Sequence, residues 1–176
     1  MKAFGFAGWS GSGKTTLIEQ LIPLMVARAL RVSLIKHAHH DFDVDQPGKD
    51  SHRHRMAGCS EVLVSSAKRW ALIHELRDAP EASLEEHLER LSACDVVLVE
   101  GFKRNESIPK LEIHRAAGGK PLLYAEDPQI VAIATDSKIN TRLPLLDINK
   151  PAQIVDFILA HLGIIEPVEK RSERSS

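Results

Sequence analysis

Cysteine is scarce in this chain. It has two, Cys59 and Cys94, far apart and in no C-x-x-C arrangement. A disulfide framework is therefore excluded, and both read as small core residues in a reducing cytosol. No apolar run approaches the ~20 residues of a membrane helix. Neither sign of charge dominates: 23 Lys and Arg face 24 Asp and Glu, for a formal net charge of -1. That balance gives no reason to expect a nucleic-acid or anionic-membrane partner. There is no internal repeat and no composition shift marking a second domain. The N-terminus is expected not to be a signal peptide, because a glycine-rich motif interrupts it within about ten residues. What remains is 176 residues, 43% apolar and 27% charged, enough for one cytoplasmic globular domain with a full core. That domain is expected over residues 1–165, with the charged, serine-rich 166–176 as a disordered tail.

Against these absences one stretch stands out. Gly8-Trp9-Ser10-Gly11-Ser12-Gly13-Lys14-Thr15 matches G-x-x-x-x-G-K-[ST], the phosphate-binding loop. Its glycines permit backbone dihedrals that a Cβ forbids, so that N–H groups turn inward around a phosphate. Lys14 should reach the β- and γ-oxygens, and the Thr15 hydroxyl should sit on Mg²⁺. The flanks suit the motif. Lys2-Ala-Phe-Gly-Phe-Ala7 reads as a short buried strand, and apolar residues at Leu17, Ile18, Leu21, Ile22, Met25 and Val26 have helical spacing over 16–29. Pro23 is expected to kink or break that helix.

Further along, 31–38 reads as a second strand, which implies a right-handed crossover and a parallel sheet. A long polar loop, 39–55, follows, and 56–59 reads as the end of a short helix. Residues 61–65 and 70–76 are strand-like, joined through a turn at 66–69. Ser83 can cap a helix over 83–92. Residues 95–101, Asp-Val-Val-Leu-Val-Glu-Gly, suit a strand buried on both faces. Strands are also expected at 111–115, 129–135 and 143–148, with an amphipathic helix at 151–162 that Gly163 ends.

Three groups of residues can carry chemistry. Glu100 ends a buried strand, where a nucleoside triphosphatase places its second acid, and could hold Mg²⁺ or orient water; it could equally be an ordinary acid capping a strand. The loop after the second strand gathers Lys36, His37, His39, His40, Asp41, Asp43, Asp45, Lys49, Asp50, His52, Arg53, His54 and Arg55. It reads as a phosphate-sensing switch or substrate surface, as a transition-metal site built on the histidines, or as a solvated loop. For a base contact, the N-K-x-D pattern of guanine sites is absent. Asn149-Lys150-Pro151-Ala152 begins like it but lacks the acid. Thr135-Asp136, ending a buried strand, is the better candidate, with an acid in a turn as the alternative.

Four stretches together resemble the MobB family, the molybdopterin-guanine dinucleotide biosynthesis adaptor proteins. They are Gly8 through Thr16, then Ile35-Lys36-His37-Ala38-His39-His40-Asp41-Phe42-Asp43, then Pro47-Gly48-Lys49-Asp50-Ser51, and Leu98-Val99-Glu100-Gly101-Phe102-Lys103. K-H-x-H-H-x-F-D followed by P-G-K-D-S is far more specific than the phosphate loop alone. The resemblance implies an α/β P-loop NTPase fold, a mainly parallel sheet flanked by helices with a few antiparallel strands. It implies a homodimer that binds GTP with Mg²⁺, hydrolyses it weakly, and assists the guanylyltransferase MobA in joining GMP to molybdopterin. On the same basis Gly11, Ser12, Gly13, Lys14, Thr15 and Thr16 bind phosphate. Thr15 and Glu100 serve Mg²⁺, with Lys14 and Glu100 as the catalytic pair. Lys36, His37, Asp43, Lys49 and Asp50 line the site or its switch. No arginine finger is obvious, with Arg104 the one candidate. Two rival readings are a metal-delivering GTPase of the nickel-insertion type and a small-molecule kinase.

Overall fold

The computed structural model describes residues 1–38, 42–102 and 105–165. Their Cα atoms cluster into two compact units. One comprises Met1–His37 together with the chain from His87 onward, and the other is Ala38–Glu86. Nothing in the composition marks the edges of the second.

In the first unit, β1 (Lys2–Ala7), β2 (Val32–Lys36), β5 (Val96–Glu100), β6 (Lys110–His114), β7 (Ile130–Thr135) and β8 (Leu145–Asp147) form one sheet in the order β2-β5-β1-β6-β7-β8. Every pairing in it is parallel. Parallel strands need crossovers and end up buried on both faces. Accordingly all five residues of β5 are buried, as the valine-rich run predicts. Helices α1 (Lys14–Val26) and α4 (Pro151–His161) supply Leu17, Ile18, Leu21, Met25, Ile154, Val155, Ile158 and Leu159 to the core. Facing them from the sheet are Phe4 and Phe6, Val96 and Leu98, Leu111 and Ile113, Ala132 and Ala134. These alternate along their strands, as side chains on one face of a sheet must.

Helix α1 runs through Pro23 without ending there. It stops three residues short of the expected 16–29 boundary because Ala29 takes a left-handed φ of 61°, and Leu30 N–H then donates back to Met25 O. Pro151 stands at the start of α4, where its missing N–H costs nothing.

The second unit holds α2 (Asp50–Met56) and the antiparallel pair β3 (Glu61–Ser65) and β4 (Trp70–His74). Ser66 closes the hairpin by donating from N–H and Oγ to Arg69 O. The side chain of Arg55 is 13% exposed and pairs with Asp43 (2.6 Å), Asp45 (3.2 Å) and Glu75 (2.7 Å). Helix α3 (Leu84–Arg90) starts with a reciprocal cap: Glu86 N–H donates to Ser83 Oγ and Ser83 N–H to Glu86 Oε2.

The cysteines do not sit in the core as expected. Cys59 is exposed and Cys94 half-buried, both as free thiols. Each lies in a connection just outside a strand, where the chain has not yet entered the packed sheet.

Strand β6 departs from its sequence pattern instructively. Polar residues alternate along it at Lys110, Glu112 and His114, a pattern usual for a solvated face, yet Lys110 and Glu112 are buried. Lys110 Nζ donates to Asp127 (2.8 Å). Glu112 accepts from Leu123 N–H (2.7 Å) and Tyr124 N–H (2.9 Å), clasping the connection that returns to β7. Burial pushes its carboxyl above the ordinary glutamate range, against those two amide hydrogen bonds. Glu112→Ala is expected to lower stability by about 2–4 kcal/mol, because two amides lose their acceptor in a buried setting. Because the native pKa is raised, the folded state holds the proton more tightly than the unfolded one. Stability is then highest below the ordinary glutamate pKa and falls as pH rises through the native value. Glu112→Gln should flatten that fall; urea titrations across the acidic range measure both effects.

Candidate nucleotide-binding site

The strand order reverses at β1. From β1 the chain crosses through α1 to β2, β5 fills the gap, and β6 starts the other side. In open parallel sheets ligands bind at the carboxyl ends of the strands beside such a reversal. The loop from Gly8 to Gly13 lies there, between β1 and α1.

Its backbone explains its glycines. Gly8, Gly11 and Gly13 have φ of 146°, 79° and 93°, values that L side chains rarely adopt. A Cβ on Gly8 would also meet Ile113 O at 2.7 Å and Ser12 Oγ at 2.8 Å. Ser12 N–H donates to Trp9 O. Lys14 Nζ lies back across the loop, donating to Gly8 O (2.9 Å) and Trp9 O (2.8 Å). Ser12 Oγ is buried and has no hydrogen-bond partner among the described residues. A buried hydroxyl without a partner is a cost, and here it belongs to the loop expected to receive an anion.

Alternation along the strands aims the remaining side chains. Glu100 shares the face of Val96 and Leu98 that packs α1. At the first turn of α1, Thr15 Oγ1 donates to Glu100 Oε1 at 2.7 Å. Lys36, paired in register with Glu100, places Nζ 3.5 Å from Oε2. The Thr15 hydroxyl and the nearly buried Glu100 carboxylate are oxygen donors of the kind Mg²⁺ takes alongside substrate phosphates. Beyond Glu100 the chain turns through two left-handed residues, Gly101 (φ 101°) and Phe102 (φ 49°). A Cβ on Gly101 would lie 2.7 Å from His37 Cβ, so glycine permits the close pass. His37 N–H donates to Glu100 O (2.8 Å), and its ring lies 4.7 Å from that of Phe102.

On the other flank, a cavity of about 200 Å³ is lined by Gly13, Thr16, Leu17, Gln20, Arg115, Ile148 and Asn149. Asn149 is thus beside the loop. Asp136 is engaged nearby, accepting from Ala116 N–H (3.1 Å) and Arg115 Nη1 (3.3 Å). The Ala116 amide is the main reason its carboxyl lies below the ordinary range. The Thr135 hydroxyl pairs within its own turn, with Ser137.

The structure therefore brings together Gly11 to Thr16, Lys36, His37 and Glu100. Three other expected site residues lie in the second unit. Asp43 is held by Arg55, whose guanidinium is the main cause of its lowered pKa. Lys49 caps α2 and Asp50 begins it, both exposed. His39, His40, Asp41 and Arg104 lie outside the described residues. Among the described residues no three His, Cys, Asp or Glu side chains gather to hold a metal ion, and no helix is long and apolar enough to cross a membrane. The residue the sequence reading passed over is Arg115. Its signal was parity, since it continues the inward series Leu111, Ile113.

A parallel sheet reversing at a glycine-rich phosphate loop, with a carboxylate on the next strand facing the loop threonine, defines a P-loop protein of the nucleoside-triphosphatase class. The comparisons narrow this. A family model for molybdopterin guanine dinucleotide synthesis protein B, MobB, matches residues 3–136, and the chain belongs to that family. It is 46% identical over 156 residues to the molybdopterin-guanine dinucleotide biosynthesis adapter protein of Escherichia coli (strain K12), covering 88% of this chain and 89% of that one. It is also 46% identical over 154 residues to the protein of that name from Haemophilus influenzae, covering 88% and 85%. A crystal structure of molybdopterin-guanine biosynthesis protein B matches 90% of this chain and 99% of its own, with a TM-score of 0.72 and 25% identity. Bacillus subtilis MobB matches 91% and 97%, with a TM-score of 0.71 and 25% identity.

Proposed function

We propose that this chain is a GTP-binding adapter that assists the guanylation of molybdopterin and hydrolyses GTP slowly. The observation that carries the nucleotide part is the 2.7 Å contact between the Thr15 hydroxyl and Glu100, at the mouth of a loop whose lysine already lies along it. In this reading the loop amides and Lys14 bind the β- and γ-phosphates. Thr15 and Glu100 would hold Mg²⁺, which supplies neutralising charge to the phosphates when bound. Lys36 keeps the Glu100 carboxylate turned toward the loop. The adapter part is supported by family membership and by the names of the relatives that cover most of the chain. Slow hydrolysis fits such a role, because the nucleotide state then persists until a partner supplies further charge.

The partner in this proposal is the guanylyltransferase MobA, and the adapter acts in the cytoplasm as a homodimer. Leu63, Trp70 and Leu72 on the hairpin are exposed apolar side chains of the kind that assembly covers. Titration calorimetry with GTP and ATP, each with and without Mg²⁺, tests the nucleotide. Tight binding of GTP, strengthened by Mg²⁺ and not matched by ATP, is the expected result. Equal or better ATP binding would break the guanine assignment. Co-precipitation with the guanylyltransferase in the presence of GTP tests the adapter role, and no capture in either nucleotide state counts against it.

A further inference from the structure

Besides Lys14 and Lys36, another cation borders the loop, one that the phosphate-loop motif does not contain. Arg115 follows β6 directly, at the carboxyl end of the strand beside β1. A Cβ on Gly13 would lie 3.5 Å from Arg115 Nε and 4.0 Å from Nη2, so the guanidinium lies over the loop glycine. The same side chain lines the cavity with Thr16 and Asn149. Asp136 steadies it through Nη1 at 3.3 Å, while the Arg115 side chain stays 41% exposed. A guanidinium has five donors in a planar fork, so one edge can stay on Asp136 while another meets an anion.

We infer that Arg115 binds the ribose-proximal phosphate of a nucleoside di- or triphosphate, and that Asp136 is the residue that positions it. The inference rests on the nucleotide-binding reading above and deepens it. Lys14 lies across the Gly8–Trp9 side of the loop, the side of the terminal phosphates. The ribose and base need room, and the cavity beside Gly13 and Thr16 provides it. The phosphate joined to the ribose then passes between the loop and that cavity, where Arg115 lies. Asp136 is already committed to Ala116 N–H and Arg115. In this assignment it holds the arginine and does not read the base; Thr16, Gln20 and Asn149 are the uncharged polar residues that line the cavity.

The test is binding of GTP, GDP and ATP to the wild-type chain and to Lys14→Ala, Arg115→Ala and Arg115→Lys, with thermal melts to confirm folding. Arg115→Ala is expected to weaken GTP and GDP by a similar factor, about tenfold to a hundredfold for a lost charge-assisted contact. GTP and GDP share that phosphate, so the two losses should match, and hydrolysis measured at saturation shows whether the arginine acts at the terminal phosphate instead. Arg115→Lys should recover part of the affinity. Unchanged affinity for both nucleotides, with Lys14→Ala inactive, overturns the inference and leaves the nucleotide reading standing. A loss of hydrolysis with GDP affinity intact also overturns it, placing the arginine at the terminal phosphate. A wild-type chain that binds no nucleotide removes both. If Arg115→Ala does not fold, Arg115→Lys decides alone: several-fold weaker GTP and GDP support the inference, and unchanged affinities overturn it. For Asp136, Asp136→Ala should weaken GTP and ATP alike, and should cost little more once Arg115 is alanine. Loss of GTP binding alone, or full additivity in the double variant, overturns the positioning role.

Discussion

Lys14→Ala is expected to weaken nucleoside triphosphate binding by about a hundredfold or more while the thermal melt stays close to wild type. The asymmetry follows from what Lys14 touches. Its ammonium donates to Gly8 O and Trp9 O, so its charge is held over the loop before any ligand arrives, and little side-chain freedom is left to lose on binding. Each charge-assisted hydrogen bond to phosphate contributes about 1.5–3 kcal/mol, and one ammonium can serve two phosphates. Stability draws on other residues. Helix α1 is held by Leu17, Ile18, Leu21 and Met25, all buried, none of which the substitution disturbs. The two carbonyls that lose a donor lie at the mouth of the loop, where water can replace it. Calorimetry with GTP and a melt on the same sample separate the two effects. Unchanged affinity in a folded variant removes the central claim about this site.

How far the sequence could foresee this depends on the range of each interaction. The phosphate loop was legible because its chemistry is local: the glycine pattern demands positive φ, and Gly8, Gly11 and Gly13 have it. The double burial of β5 was legible because four consecutive apolar residues leave no polar face to solvate. The β3–β4 hairpin and its turn followed from two apolar runs around a polar break. Pairings between distant side chains that no motif announces were not legible. Arg55 reads as a phosphate-facing cation in a loop rich in histidines and acids, yet it lies among Asp43, Asp45 and Glu75. No spacing rule connects Glu75 to that loop. Lys110 and Glu112 follow an alternation that normally means solvent, and they are buried because a later connection returns over them. Arg115 has the right parity for the site, but a lone arginine after a strand carries no chemical signature until Gly13 and Asp136 are placed beside it. Cys59 and Cys94 show the reverse error, in which residue type suggested a core that the chain does not offer at those positions. The specific K-H-x-H-H-x-F-D signal found the family correctly, although His39, His40 and Asp41 lie outside the described residues.

Glu100→Ala is expected to lower Mg²⁺-dependent GTP hydrolysis by about a hundredfold, a loss in keeping with a metal ligand worth several kcal/mol of charge stabilisation. Affinity for GTP without Mg²⁺ should change far less, and in the direction of tighter binding, because a carboxylate facing the phosphate loop repels an anionic ligand. Glu100 is only 8% exposed and accepts from the Thr15 hydroxyl, so a purely structural role predicts something else: a lower melting temperature and equal losses with and without the metal. Lys36 helps to tell the two apart. Its side chain is 55% exposed, so without Glu100 it turns to water at little cost, and the fold should tolerate the change. Glu100→Gln sharpens the comparison. The amide keeps the size of the side chain and an oxygen for the Thr15 hydroxyl but gives up the charge. A variant that melts like wild type, binds GTP, and no longer responds to Mg²⁺ assigns the charge to the metal. One that retains the full Mg²⁺ response assigns Glu100 to holding β5 against α1, and the second acid of the site must then be sought elsewhere.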